Sequence, residues 1–303
     1  MSRWTFESIP DQTGRRAIVT GANTGIGYEA AKALALKGAE VTLACRSADK
    51  GREALDRLKA QDPPGGAALE SLDLADLGSV EAFADRYLQA NDKLDLLILN
   101  AGVMVPPQST TAQGFELQFG VNHLGHFALT GHLLDLLAAT PGARIVNVSS
   151  GAHRGGRIDF DDPHAAKSYS PMRRYQMSKA ANLYFTFELA RRLKARGIGV
   201  TSVACHPGVA DTELSRTFPG WFRILAPLLR PLFNSPAEGA LPTLMAATAP
   251  DVEPCDYYGP VMRMETARGA GPARISSHVR DEAVARELWD LSEELTGVSY
   301  LAS

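Results

Sequence analysis

The sequence predicts an α/β fold in which one doubly wound parallel sheet carries helices on both faces. Short apolar runs alternate with helix-length segments along the 303 residues, and this rhythm is typical of repeated βαβ units with right-handed crossovers. The runs are apolar without strict alternation, as expected of strands that are buried on both faces. Because "QDPPGGAA" (61–68) is short enough to be a turn, we predict a single domain over residues 1–303.

The candidate strands follow one another along the chain. In order, they are "RRAIVT", "AEVTLAC", "ALESLDL", "LDLLILN", "ARIVNVSS" and "IGVTSVAC". Each is β-branched or leucine-rich, and segments long enough for a helix lie between them. The tail "ELWDLSEELTGVSYLAS" predicts a packed terminal helix, and its packing partner stays open.

Composition is that of a globular protein and gives no indication of a nucleic-acid partner. Hydrophobic residues make up 45% of the chain, charged residues 21%, and the formal net charge is -3. The cysteines Cys45, Cys205 and Cys255 are far apart and lack the CxxC spacing of a zinc site, so we predict no metal and a reducing compartment. No signal peptide and no apolar run of roughly 18 residues is present, which favours a cytoplasmic protein.

A glycine-rich turn follows the first strand. In "TGANTGIGYEAAKALALKG", Gly21, Gly25 and Gly27 lie between the strand and an amphipathic helix that closes at Gly38. Glycines let the backbone approach an anion, and the start of a helix favours negative charge, so this turn is a candidate pyrophosphate site. Glycines also serve any tight turn between a strand and a helix, but the position at the first strand of a βαβ series favours a nucleotide.

"TGANTGIG" resembles the nucleotide-binding motif of the short-chain dehydrogenase/reductase family, and further motifs of that family follow in order. They are "LDL" at 72–74, "LNAG" at 99–102, "VNHLGHF" at 121–127, "VNVSS" at 146–150, "YQMSK" at 175–179 and "HPGVADT" at 206–212. Their joint order across residues 20–212 makes the resemblance specific. It implies a Rossmann fold, a nicotinamide cofactor, and assembly into a homodimer or homotetramer.

The resemblance also implies a set of cofactor-binding residues. Asp73 is expected to contact the adenine, the "LNAG" segment to lie beside the cofactor, and the segment after the sixth strand to cover the nicotinamide. The full set is Gly21, Asn23, Thr24, Gly25, Ile26, Gly27, Arg46, Asp73, Leu74, Asn100, Ala101, Gly102, Tyr175, Lys179, Pro207, Gly208, Val209 and Thr212.

Tyr175 and Lys179 stand four residues apart, which places them on one face of a helix. Such pairs occur on many helix surfaces by chance, but a phenol with a pKa near 10 needs nearby positive charge to exchange protons close to neutrality. Lys179 supplies that charge. The resemblance implies that Tyr175 is the general acid/base and that Lys179 also holds the nicotinamide ribose.

Two further residues complete the implied catalytic set. Ser150 is expected to bond the substrate carbonyl, because the family uses the second serine of the pair and Ser149 points to the opposite face of a continued strand. Asn122 is expected to anchor a water that links Lys179 to solvent. The other interpretation is that Ser150 caps a strand end and that Asn122 bonds backbone.

Twenty-five positions separate Ser150 from Tyr175, more than in the shorter members of the family. The intervening "GAHRGGRIDFDDPHAAKSYSPMRR" resembles the retinol dehydrogenase and WW-domain oxidoreductase branch. Phe160, Tyr169 and Arg173 of this insertion are candidates for the mouth of the site, although a solvated loop is the default interpretation.

Cofactor choice depends on the end of the second strand. An acid there would bind the ribose 2′-hydroxyl of NAD, whereas this chain has Cys45 and then Arg46. Arg46 is able to pair with a 2′-phosphate, and Asn23 of the glycine turn is expected nearby. The pattern therefore favours NADP over NAD, although an arginine at this position is also commonly just exposed.

Residues 212–236 are expected to form a substrate lid. The segment is rich in large apolar residues and carries Arg216, Arg223 and Arg230 at regular intervals, while its prolines argue against one long helix. Three roles stay open: closing a lipophilic pocket, packing against the core or a partner subunit, and contact with a membrane surface, the least favoured of the three.

The sequence as a whole predicts an NADP(H)-preferring carbonyl reductase or alcohol dehydrogenase. Its expected partner is a small hydrophobic ketone, aldehyde, or secondary or primary alcohol. Two alternatives stay open: a C=C reductase that resembles protochlorophyllide reductase, and an NADP-binding sensor or scaffold without turnover.

Overall fold

A computed structural model of the chain describes residues 4–208, 234–262, 265–266 and 268–301. The strands, in chain order, are β1 (Arg16–Thr20), β2 (Glu40–Cys45), β3 (Ala67–Ser71), β4 (Leu96–Leu99), β5 (Arg144–Val148), β6 (Thr201–Cys205), β7 (Tyr257–Gly259) and β8 (Gly271–Pro272). They form one sheet in the order β3-β2-β1-β4-β5-β6-β7-β8. Only the β7–β8 pair in this sheet is antiparallel. The predicted α/β Rossmann fold is confirmed.

The helices alternate with the strands. They are α1 (Gly25–Leu36), α2 (Ala48–Lys59), α3 (Leu77–Ala90), α4 (Leu117–Phe119), α5 (Gly125–Ala139), α6 (Pro171–Ala195), α7 (Pro236–Thr248) and α8 (Glu282–Thr296). A π-helical turn, Gly120–Leu124, joins α4 to α5. Helix α6 begins with a proline, whose missing N–H costs nothing in the first turn.

Successive residues of the inner strands are buried against opposite faces of the sheet. Ala17 and Val19 of β1 pack into a core with α1, α2 and α7, whereas Ile18 between them packs into a second core with α3, α5 and α6. Side chains on a strand alternate between faces, so a strand covered on both sides must be apolar throughout. This is the physical reason that the inner strands are continuous apolar stretches of the sequence.

The predicted C-terminal helix is present as α8, and the structure shows that it packs against α5 and α6. The ring of Trp289 lies 5.1 Å from that of Phe127 and 5.9 Å from that of Phe185, centroid to centroid. Tyr300 contacts the same indole at 4.8 Å and donates its hydroxyl to the Phe127 carbonyl at 3.1 Å. The guanidinium of Arg192 lies 4.4 Å from the centroid of Trp289, so this indole also makes a cation–π contact.

The predicted lid falls largely outside the described residues, because residues 212–233, including its three arginines, are not among them. Within the described ranges, no helix has both the length and the apolar character needed to cross a membrane.

Trp289 should contribute strongly to the stability of the fold. Trp289→Ala removes a buried side chain with three aromatic neighbours, so we expect the free energy of unfolding to fall by about 3–5 kcal/mol. Urea unfolding measures this change. Leu88→Ala, at a side chain that is 40% exposed, is the control and should change stability by less than about 0.5 kcal/mol. Equal effects in the two variants would contradict the role of Trp289.

Candidate active site

The glycine turn lies against the loop that follows β4, at the carboxyl edge of the sheet. Gly21 and Gly25 adopt the left-handed region, with φ of +67° and +59°. A Cβ on Gly27 would lie 2.4 Å from Asn100 Nδ2 and 2.5 Å from the Gly21 carbonyl oxygen. The Asn100 amide donates to the Thr20 carbonyl at 2.8 Å. Glycine is therefore required here for both backbone conformation and close approach.

A buried hydrogen-bond chain ties this turn to the helical segment before α5. The Thr20 hydroxyl oxygen accepts from the backbone N–H groups of Asn100 and Ala101, both at 2.9 Å, and lies 2.9 Å from His126 Nε2. His126 Nδ1 lies 3.1 Å from the Asn122 carbonyl oxygen. A carbonyl only accepts, so Nδ1 carries the proton and Nε2 accepts from the Thr20 hydroxyl. Thr20 and His126 were not identified as part of the site from the sequence. The four-residue spacing of Asn122 and His126 is nevertheless a helical signal.

Asn122 sits in the π-helical turn Gly120–Leu124 and is fully buried. Its side-chain oxygen accepts from the Val103 N–H at 2.8 Å, and its amide nitrogen donates to the Val103 carbonyl at 3.0 Å and to Ser178 Oγ at 2.9 Å. The side chain thus fixes the loop after β4 against helix α6. Its role in anchoring a water stays a prediction.

The two serines after β5 have different surroundings. Ser149 is buried and donates its hydroxyl to the Lys179 carbonyl at 2.7 Å. Ser150 is half-buried, and its hydroxyl oxygen accepts from the Ala152 N–H at 3.2 Å at the start of the 3-10 turn Gly151–Gly155. Because that bond uses a lone pair, the hydroxyl proton of Ser150 is free for another acceptor.

Tyr175, Lys179 and Ser150 come together at this edge. Lys179 is buried, its Nζ lies 5.9 Å from the centroid of the Tyr175 ring, and it donates to the Val148 carbonyl at 3.0 Å. Burial lowers the pKa of Lys179 to about 8. Burial raises the pKa of Tyr175, and a hydrogen bond with the Ser150 side chain lowers it again in part.

Two of the predicted cofactor residues, Asp73 and Leu74, follow β3 on the β2 and β3 side of the sheet. Asp73 is half-buried, and its carboxylate accepts from the Ala75 N–H at 2.9 Å, while Leu74 is buried. Burial raises the pKa of the Cys45 thiol to about 11, and hydrogen bonds from the backbone of Ala22 and Asn23 act in the opposite direction. The end of β2 therefore touches the glycine turn.

Arg46 follows directly after the last residue of β2. It is exposed and forms no ion pair with any described residue. Helix α2 supplies a second cation, because Arg57 donates to the Asn23 carbonyl at 3.2 Å. Thr24 caps α1, and Ile26 lies in its first turn.

The segment after β6 is held by contacts with the C-terminal part of the chain. The Pro207 carbonyl accepts from Asn234 Nδ2 at 2.9 Å. Gly208 has a φ of +73°, and a Cβ there would lie 2.5 Å from the Thr266 carbonyl oxygen. Val209 and Thr212 of the predicted cofactor set lie outside the described residues.

The insertion between Ser150 and Tyr175 is tied to the body of the protein. Arg174 is buried and donates to the carboxylate of Asp162 at 3.1 Å and to its carbonyl at 2.7 Å. Tyr169 donates its hydroxyl to the Pro106 carbonyl at 2.8 Å, and Phe160 packs against the core. Phe160 and Tyr169 are half-buried by these contacts, so the default interpretation as a solvated loop is wrong for them, whereas Arg173 is exposed. Their place at the mouth of the site stays a prediction.

Comparison with known proteins gives concordant matches. The model for short chain dehydrogenases matches residues 15–221. The chain is 44% identical over 289 residues to retinol dehydrogenase 12 of Mus musculus, covering 95% of this chain and 88% of the relative. It is 45% identical over 285 residues to retinol dehydrogenase 11 of the same species, covering 94% and 87%.

Solved structures agree with these matches. An uncharacterized protein from Mycobacterium Paratuberculosis is 38% identical, with a TM-score of 0.83 and 99% of each chain covered. A short chain dehydrogenase from Burkholderia cenocepacia J2315 in complex with NADP is 25% identical, with a TM-score of 0.61, covering 78% of this chain and 92% of that one.

The Rossmann fold and these matches identify an oxidoreductase of the class that uses a nicotinamide cofactor. With the family model matched over most of the chain, the protein belongs to the short-chain dehydrogenase family. The predicted resemblance to the retinol dehydrogenase branch is confirmed.

Three buried histidines predict a loss of stability in acid. Burial lowers the pKa of His123 and of His126 to about 3, and that of His206 to about 4. The same imidazoles have a pKa of about 6.5 in the unfolded chain, so unfolding binds protons from about pH 6.5 down to about pH 4 for His206 and about pH 3 for His123 and His126. Stability is full above this window and falls with pH inside it, by at most about 1.4 kcal/mol per pH unit for each histidine.

Urea unfolding at a series of pH values tests this linkage. We expect His123→Gln to lower the number of protons bound on unfolding by about one. A free energy of unfolding that is constant from about pH 6.5 to 5 would show that these histidines do not behave as described.

Proposed function

We propose that the chain is an NADP(H)-preferring oxidoreductase that transfers hydride between the nicotinamide and a hydrophobic ketone, aldehyde or alcohol. The convergence of Ser150, Tyr175 and Lys179 beside the glycine turn carries this proposal. Relatives named retinol dehydrogenases support an apolar alcohol or aldehyde as the substrate class. A cytoplasmic location and a homodimer or homotetramer remain predictions from the sequence.

The residues at this edge fit a nicotinamide dinucleotide. Gly27 has no room for a side chain, which suits a turn that receives a pyrophosphate. A Cβ on Gly102 would lie 3.5 Å from Lys179 Nζ. Because Gly102 has no side chain, the space beside the Lys179 ammonium is not filled by this residue. Val148 uses one of the three Nζ donors, and the others suit ribose hydroxyls. When bound, the nicotinamide supplies a hydride to the substrate carbon or removes one from it.

The protein residues manage the proton that accompanies this hydride. In reduction, the Tyr175 hydroxyl donates its proton to the substrate oxygen, so that the carbonyl π bond is replaced by a C–H and an O–H bond. The Ser150 hydroxyl donates a hydrogen bond to the same oxygen and stabilises its developing charge. Lys179 stabilises the tyrosinate left behind, and in oxidation Tyr175 accepts the alcohol proton.

Tyr175→Phe tests the proposal directly. Without the phenol proton, NADPH-dependent turnover of hydrophobic aldehydes and ketones, followed at 340 nm, should fall by about 100-fold or more. NADPH binding should stay within about 3-fold of the wild type, since Lys179 and the glycine turn remain.

Tyr184→Phe is the matched control, because Tyr184 lies on the same helix and bonds the His278 carbonyl. It should leave turnover unchanged. Undiminished turnover in Tyr175→Phe would overturn the assignment. Tight NADPH binding by the wild type without reduction of any carbonyl would instead favour the alkene reductase or the sensor without turnover.

Arg46 should determine cofactor preference. Arg46→Asp replaces a cation suited to a 2′-phosphate by a carboxylate suited to a 2′-hydroxyl. We expect kcat/KM for NADPH to fall by about 10- to 100-fold while that for NADH is kept or raised. Arg52→Asp, at an exposed residue of α2, is the charge-matched control and should leave the ratio unchanged. An equal loss in both variants, or a wild type that prefers NADH, would refute the NADP preference.

A further inference from the structure

His153 is a fully buried histidine three residues after Ser150, and the proposed chemistry does not use it directly. Its Nδ1 lies 2.7 Å from the Ser150 carbonyl oxygen, and its backbone N–H donates to the same oxygen at 3.0 Å. On the other side of the ring, Nε2 accepts from the Ser276 N–H at 3.4 Å. The imidazole thus joins the serine turn to the segment after β8.

These partners fix the tautomer of His153. The Ser150 carbonyl only accepts, so Nδ1 must carry a proton, and the Ser276 N–H only donates, so Nε2 must have a free lone pair. Both conditions describe the same neutral ring. Burial lowers the pKa of His153, which also favours the neutral form.

Packing against Tyr257 restricts the orientation of the His153 ring. Tyr257 stands edge-on to it, with 5.6 Å between centroids and 89° between planes, and its hydroxyl lies 3.5 Å from Nδ1. The Tyr257 ring in turn stacks on His206 at 5.3 Å. Packing and hydrogen bonds therefore specify the same position for Nδ1.

We propose that His153 is a positioning residue that sets the orientation of Ser150 for reaction. Two donors from His153 hold the carbonyl and so the peptide plane after Ser150, while the Ala152 N–H holds its hydroxyl oxygen. With both ends of the residue held, the hydroxyl proton is aimed at the oxygen that Tyr175 serves. This inference rests on the proposed function, because it gives His153 a role through Ser150.

Two substitutions separate the hydrogen bond from the packing. His153→Phe keeps a ring of similar size against Tyr257 but removes the donor, and His153→Asn supplies an N–H where Nδ1 was. We expect kcat to fall by about 10-fold or more in the phenylalanine variant, to stay within about 3-fold in the asparagine variant, and the Kd for NADPH to be unchanged in both. His132→Phe, at a half-exposed histidine of α5, is the control.

A second measurement needs no substrate. In protein labelled with ¹³C at tyrosine Cζ, Tyr175→Phe identifies the Tyr175 signal, and Ser150→Ala gives the shift that follows loss of the serine hydrogen bond. His153→Phe should move the signal in the same direction, and His153→Asn should not. Thermal unfolding of each variant verifies that it is folded.

The outcomes are distinct. A folded His153→Phe with full kcat and an unmoved Tyr175 signal would overturn the proposal, as would equal losses in the phenylalanine and asparagine variants. A wild type without carbonyl turnover would contradict the proposed function instead, and the Tyr175 signal would still decide whether His153 positions Ser150.

Discussion

The site depends on one buried hydrogen-bond chain, from Thr20 through His126 and Asn122 to Ser178. It joins the end of β1 to helix α6, which carries the tyrosine and the lysine. Every member is buried, so each polar group must find a partner within the protein, and an unmatched group would cost about 1–3 kcal/mol. The need to pair these buried polar groups therefore fixes the position of the glycine turn relative to helix α6.

Burial of the same region shifts the pKa values of Lys179 and Tyr175. It lowers the pKa of Lys179 to about 8 and raises that of Tyr175, since each charged form loses solvation. The lysine is therefore less firmly protonated than a solvated one, and the phenol keeps its proton at neutrality. The Ser150 hydrogen bond opposes the second effect. Under the proposed function, a phenol that donates its proton beside this lysine is suited to reversible proton transfer.

The strands β1 to β6 and the motifs of the family could be predicted because their signals are local, although β3 is a partly exposed edge strand. A buried parallel strand must be apolar throughout, and a pair of side chains that share a helix face must be spaced by one turn. Strands β7 and β8 are too short to give such a signal. The bonds of Thr20 to His126 and of Ser276 to His153 join residues far apart in the chain, so only the fold brings them together. Arg46 is exposed directly after β2, as an arginine at the exit of a strand commonly is.

The long spacing between Ser150 and Tyr175 does not loosen the site, because the insertion is anchored at both ends. At the serine end, His153 holds the Ser150 carbonyl. At the tyrosine end, Arg174, which directly precedes Tyr175, pairs with Asp162. The relative position of Ser150 and Tyr175 is set by the end of β5 and by α6, the elements that carry them.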